Sequence, residues 1–140
     1  MTLNEALDYI HSVNWRGSIP GLSRTRALLN RIGNPQDKLR YVHVAGTNGK
    51  GSTCAMLERM LRQCGLKTGL YTSPYLMRYH ERMRVNGAPI GDEALVRLAS
   101  LVRAEAEALV AEGVRPTTFE LGTALCLLWF CEDRRVVDSV

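Results

Sequence analysis

Tyr41-Val42-His43-Val44-Ala45-Gly46-Thr47-Asn48-Gly49-Lys50-Gly51-Ser52-Thr53 is the stretch whose reading decides the fold. An apolar, β-prone run breaks into a glycine-rich turn carrying one lysine. The chain then resumes as a helix over Cys54-Ala55-Met56-Leu57-Glu58-Arg59-Met60-Leu61. Strand, glycine loop and helix in that order build a phosphate cradle. Glycines let backbone N–H groups turn inward on an anion, and the following helix points its positive end at the same place. Gly46, Thr47, Asn48, Gly49, Lys50, Gly51 and Ser52 are therefore expected to hold nucleotide phosphates. Lys50 reaches the outer phosphates as the catalytic cation, and the Ser52 hydroxyl faces a magnesium ion. The plain alternative is an ordinary glycine turn before a helix. The flanking strand, the lysine and the hydroxyl together argue against it.

The spacing departs from the generic P-loop. That pattern places a glycine where Val44 stands, and Ser or Thr directly after the lysine, where Gly51 stands. Gly46-Thr47-Asn48-Gly49-Lys50-Gly51-Ser52 resembles instead the loop of the ATP-dependent amide ligases that include the Mur peptidoglycan ligases and folylpolyglutamate synthase. Gly51 is similar to the folylpolyglutamate synthase/dihydrofolate synthase branch, since Mur ligases usually carry Thr or Ser there. Four further segments carry the resemblance: Gly21-Leu22-Ser23-Arg24, Thr72-Ser73-Pro74, Glu81-Arg82-Met83-Arg84-Val85-Asn86-Gly87, and Thr117-Thr118-Phe119-Glu120 followed by Thr123-Ala124. Tyr75 stands where the family usually has histidine.

Outward from the loop, strands and helices alternate. Residues 40–45 predict a first parallel strand, 51–64 a helix closed by Gly65, and 67–72 a second strand, making a right-handed βαβ unit. Ligands of open α/β sheets gather at strand carboxyl ends, which places Ser73 beside the phosphate site; a Ser-Pro turn without a ligand is the other reading. Asn86-Gly87 signals a hairpin turn after a short exposed strand over 82–85, with Glu81 and Arg82 as a loop-ordering pair. Upstream, Thr2 and Glu5 read as a capping box for a helix carrying Leu3, Ala6, Leu7, Ile10 and Val13 on its apolar face. Residues 14–22 read as a loop, and a second helix runs from Ser23 to a stop at Gly33. Downstream, Asp92 caps a long helix expected to pack on the sheet. Thr117 and Glu120 make a second capping box for a helix apolar nearly all round. Residues 136–140 start a strand expected at an open sheet edge. The fold class is α/β, and the resemblance implies a P-loop-containing, mostly parallel sheet flanked by helices, an incomplete Mur ligase-like central domain.

Composition agrees with one ordinary domain. The chain has 140 residues, 46% of them hydrophobic, enough for a core. No apolar run reaches membrane-spanning length, and the N-terminus lacks a secretory pattern. Cys54, Cys64, Cys126 and Cys131 lack metal-ligand spacing and read as reduced core thiols. The net charge of +4 suits anionic small molecules; no basic block interleaves with aromatics, so nucleic acid is not expected.

The resemblance implies more. Ser73 would join Ser52 as a magnesium ligand. Gly21, Leu22 and Arg24 would lie close to the substrate, with Thr117, Thr118 and Phe119, whose ring would stack on a flat pterin. Read alone, Arg24 also fits a solvated helix start, and Phe119 a core position. The implied enzyme is an ATP-dependent ligase adding L-glutamate to dihydropteroate or to folate (poly)glutamates through an acyl phosphate, with ATP and magnesium as cofactors. Its setting would be folate biosynthesis and one-carbon metabolism in the cytoplasm, as a monomer binding small molecules, with no membrane. Residues 1–140 would be the N-terminal part of the ATPase domain, the rest of that domain and the C-terminal domain being absent, and inactive alone. A Mur-type ligase acting on a UDP-sugar peptide, or a non-catalytic nucleotide-binding remnant, are the alternatives; Gly51 and the Thr-Ser-Pro and Thr-x-Phe-Glu segments count against the first.

Overall fold

Helix α1 (Leu3–Ser12) begins the chain with the expected capping box: Glu5 N–H donates to Thr2 Oγ1 at 3.2 Å, and Thr2 N–H donates to Glu5 Oε2 at 2.7 Å. In this computed structural model the described residues are 1–13, 20–132 and 136–139. The expected loop over 14–22 falls largely outside them. Two compact units emerge, Met1–Asp37 with Asp92–Trp129, and Lys38–Gly91 with Phe130–Val140.

The first unit is helical. Beside α1 it holds α2 (Ser23–Arg31) and the long α4 (Asp92–Ala111), and α5 (Thr118–Glu132) starts in it. The α1 face carrying Ala6 and Ile10 is buried, as is the α4 stripe Leu95, Leu98, Ala99, Val102, Ala106 and Leu109. These positions recur at helical spacing, so each helix turns one apolar face inward. Helix α4 packs on α1 and α2. The expectation that it packs on the sheet is corrected: its stripe matches the apolar faces of helices in its own unit. Helix α5 buries Leu121, Ala124, Leu125, Cys126 and Leu127, as its nearly all-round apolarity foretold.

The second unit holds β1 (Arg40–Val42), α3 (Lys50–Gln63), β2 (Lys67–Tyr71), β3 (Met83–Val85), β4 (Ala88–Pro89) and β5 (Val136–Ser139). The sheet order is β1-β5-β2-β3-β4. β5 pairs in parallel with both β1 (Tyr41 opposite Asp138) and β2 (Gly69 opposite Asp138). This corrects the open edge expected at residues 136–140: β5 is an interior strand, and the edges are β1 and β4. Pro89 on β4 suits an edge, since it has no N–H to offer a further strand. β3 and β4 extend the sheet as an antiparallel hairpin, Val85 facing Ala88; β3 is not the exposed strand expected, since Met83 on it is fully buried and Arg84 and Val85 are half-buried. Asn86 and Gly87 turn it with φ of +50° and +80°, the two positive values a type I′ turn requires.

A buried polar network fastens α3 to this sheet. Glu58 is 5% exposed. Its carboxylate accepts from Thr68 Oγ1 at 2.7 Å and lies 3.1 Å from Arg62 Nε. Arg62 Nη1 donates to the Asn86 carbonyl at 3.1 Å, and Thr68 N–H donates to Asn86 Oδ1 at 3.0 Å. A Cβ on Gly87 would stand 2.7 Å from Arg62 Nη1, so the turn glycine also makes room for the guanidinium. Among the described residues no helix is long and apolar enough to cross a membrane.

Candidate functional site

The chain leaves β1 at Val42 and enters α3 at Lys50, and everything between is loop. Gly46 (φ +154°) and Gly49 (φ +78°) bend it through conformations that side chains resist. Gly49 is the N-cap of α3 and offers no side-chain cap to the first amides of that helix. Such amides, with the positive helix end behind them, are a ready anion site. Residues 45–53 are exposed, and beyond the adjacent backbone no described atom lies within 4 Å of where a Cβ would stand on Gly46, Gly49 or Gly51. The site is therefore open enough for a phosphate chain to approach the backbone. Lys50 arches back over the loop, its Nζ donating to the Gly46 carbonyl and, at 3.4 Å, to that of Thr47.

Ser73 follows β2, so the loop after β1 and Ser73 after β2 both sit at carboxyl ends of strands that flank β5. Arg82 Nη2 donates to Ser73 Oγ at 3.4 Å. The Arg82 guanidinium lies 5.5 Å from the Tyr75 ring centroid and 5.4 Å from that of Tyr79. Those two rings meet edge to face at 5.8 Å. The expected Glu81–Arg82 pair is corrected here. Glu81 instead accepts backbone N–H groups from Leu76 (3.1 Å), Met77 (3.2 Å) and Arg78 (3.0 Å). Neighbouring side chains diverge, and each finds a different partner.

Among the described residues no group of three or more His, Cys, Asp or Glu could hold a metal ion. A magnesium ion at a nucleotide needs less from the protein. It takes one or two oxygen ligands beside phosphates and waters. The exposed hydroxyls of Ser52 and Ser73 fit that donor set.

The first unit gathers the other sequence candidates. Helix α2 starts after Gly21 (φ +133°) and Leu22, which is 63% exposed, and lacks a side-chain cap. Arg24 Nε donates to Glu120 Oε1 at 3.3 Å and Oε2 at 3.4 Å. Glu120 also closes the expected capping box, accepting Thr117 N–H at 2.8 Å while its own N–H donates to Thr117 Oγ1 at 3.2 Å. Thr118 Oγ1 donates to the Val13 carbonyl at 3.0 Å. Phe119 is 56% exposed, which rules out the core alternative for its ring. One carboxylate thus ties the starts of α2 and α5 together, with Leu22 and Phe119 left outward. The sequence held no signal for a neighbouring cavity of about 250 Å³, lined by Tyr9, Ser12, Val13, Glu107, Pro116 and Leu121. Burial, and then the Glu107 carboxylate, push the Tyr9 phenol up from its ordinary pKa.

No protein-family model matches the chain. It is 44% identical over 133 residues to the dihydrofolate synthase/folylpolyglutamate synthase of Bacillus subtilis, a match covering 94% of this chain and 31% of that protein. It is 41% identical over 142 residues to the folylpolyglutamate synthase of Lacticaseibacillus casei, covering 100% of this chain and 33% of that protein. A solved FPGS–AMPPCP–folate complex superimposes with a TM-score of 0.94 at 39% identity, over 100% of this chain and 35% of that one. The chain therefore spans about a third of the length of the curated relatives it matches.

Proposed function

We infer that this chain is the nucleotide-binding part of a folylpolyglutamate synthase/dihydrofolate synthase, the ATP-dependent ligase that joins L-glutamate to dihydropteroate or to folate (poly)glutamates. One observation carries the reading: the exposed Gly46–Ser52 loop between β1 and α3, with uncapped helix amides and Lys50 folded over it. A carboxylate does not condense with an amine at neutral pH without activation. Moving the γ-phosphoryl group of ATP onto the carboxylate gives an acyl phosphate; the glutamate amine attacks its carbonyl carbon and phosphate leaves. The chain's part is electrostatic. On nucleotide binding, Lys50 exchanges the Gly46 and Thr47 carbonyls for phosphate oxygens, and the amides at the α3 start take others. Ser52 and Ser73 would hold magnesium, which supplies charge neutralisation on the phosphates. Gly21, Leu22, Arg24, Thr117, Thr118 and Phe119 are assigned to the pteroate or folate, the outward ring of Phe119 offering a stacking face. The names of the matched relatives support folate over a UDP-sugar peptide acceptor.

The test is equilibrium binding by the full chain. ATP should bind with magnesium present, and folate or dihydropteroate should compete with a fluorescent pteroate probe where a UDP-muramyl peptide does not. Competition by the UDP-sugar peptide would move the chain to a Mur-type ligase. Phe119→Ala should weaken pteroate binding about tenfold. Its unfolding free energy should change by less than about 1 kcal/mol, because an exposed ring leaves no cavity. A loss of about 3–5 kcal/mol in chemical denaturation, the cost of a buried Phe, would show a structural residue instead.

A further inference from the structure

Residues 72–82 form a closed loop whose neck is a hydrogen bond from Thr72 N–H to the Arg82 carbonyl, 2.8 Å. Its outermost side chains, Leu76 and Met77, are 91% and 86% exposed. No apolar packing therefore holds the tip in place. What holds it is Glu81, whose two carboxylate oxygens take the N–H groups of three consecutive residues, Leu76, Met77 and Arg78. Those amides keep the Glu81 carboxyl below the usual carboxylate range, so the group is ionised at neutral pH and accepts with full charge. Ser73 lies between the neck and this fixed segment. The residue after Glu81 is Arg82, which clamps Tyr75 and Tyr79 and donates to the Ser73 hydroxyl.

We propose that Glu81 is a positioning residue for the nucleotide site: by holding the 72–82 loop through three backbone amides, it fixes where the Ser73 hydroxyl stands for the magnesium-bound nucleotide. This rests on the reading of Ser73 given above. A flexible connection of that length would let the hydroxyl wander by more than a metal–oxygen bond tolerates, and magnesium demands close to ideal geometry. The buried Tyr79 anchors the base of the loop, and one charged acceptor shared by consecutive amides removes the freedom of its exposed tip.

The experiment uses the full chain as wild type, Glu81→Ala, Glu81→Gln, Ser73→Ala and the Glu81→Ala/Ser73→Ala double variant. Amide exchange is followed at Leu76, Met77 and Arg78, and ATP affinity is measured with and without magnesium. Glu81→Ala should speed exchange at those three amides by about tenfold or more. It should also reduce the magnesium-dependent gain in ATP affinity to the level of Ser73→Ala, with magnesium-free affinity unchanged. The double variant should lose nothing further, as expected for residues acting through one element. Glu81→Gln keeps the side chain's shape with one acceptor oxygen and should fall between. Faster exchange with a wild-type magnesium response would overturn the proposal, as would unchanged exchange. Failure of the wild type itself to bind ATP would instead overturn the phosphate-site reading, and would be seen before any variant is compared.

Discussion

Under the ligase function inferred above, Lys50→Ala is expected to lower turnover by about 10²–10³-fold, the scale seen when a preorganised charge partner of a transition state is removed. ATP affinity should fall with it. The fold should survive, because Lys50 is exposed and its bonds are to two loop carbonyls that water can replace. Circular dichroism and denaturation should therefore match wild type while calorimetric titration with ATP does not. Lys50→Arg should recover charge but little activity. A compact ammonium on a flexible stem fits among loop carbonyls and phosphates, and a planar guanidinium does not. Turnover of the alanine variant near that of wild type would remove the phosphate assignment altogether.

The second large effect is on stability. Glu58→Ala should cost about 1–3 kcal/mol in unfolding free energy, the usual result of leaving a buried hydrogen-bonding group without its partner. The loss leaves Arg62 without its carboxylate and the Thr68 hydroxyl, on a fully buried residue, without its acceptor. Thr68→Val, which removes one hydroxyl from the same carboxylate, should cost about 1–3 kcal/mol. The double variant should cost less than the sum, because both changes break one network. Urea denaturation of the three variants settles it. A Glu58→Ala cost under about 0.5 kcal/mol would make Glu58 an ordinary surface residue of α3.

The sequence made local features legible because their causes are local. Thr2 with Glu5 and Thr117 with Glu120 cap helices over three residues, and both boxes formed as read. Asn86-Gly87 specified its own turn, and the strand–glycine–lysine–helix order of residues 41–61 specified the loop. What needed distant partners was not legible. Nothing near Val136 says that β1 and β2 will close on it from either side, so an interior strand read as an edge. The apolar stripe of α4 says that a face is buried, not against what, and it found α1 and α2. Glu58 reads as one more charged helix residue until Thr68 and Asn86 arrive from the sheet. Glu81 and Arg82 looked like a pair because they are adjacent, yet adjacent side chains point apart, and one took backbone amides while the other took tyrosine rings and Ser73.

The interior position of β5 also has a kinetic consequence. β1 and β2 are separated in sequence by a single helix, but they do not pair with each other; each pairs with a strand that follows α4 and α5. The parallel part of the sheet has a high contact order, since its two ladders close only when chain segments far apart meet. Loop-closure entropy must be overcome before those ladders return any stabilisation. On a ribosome, residues 40–71 emerge with two ladder edges unsatisfied and wait for residues 136–139. The hairpin of β3 and β4 can form at once against β2, and the helices of the first unit can dock on one another. We therefore expect refolding followed by stopped-flow fluorescence and pulsed hydrogen exchange to show the hairpin and α1–α4 amides protected early. Those of β1 should gain protection last, together with β5.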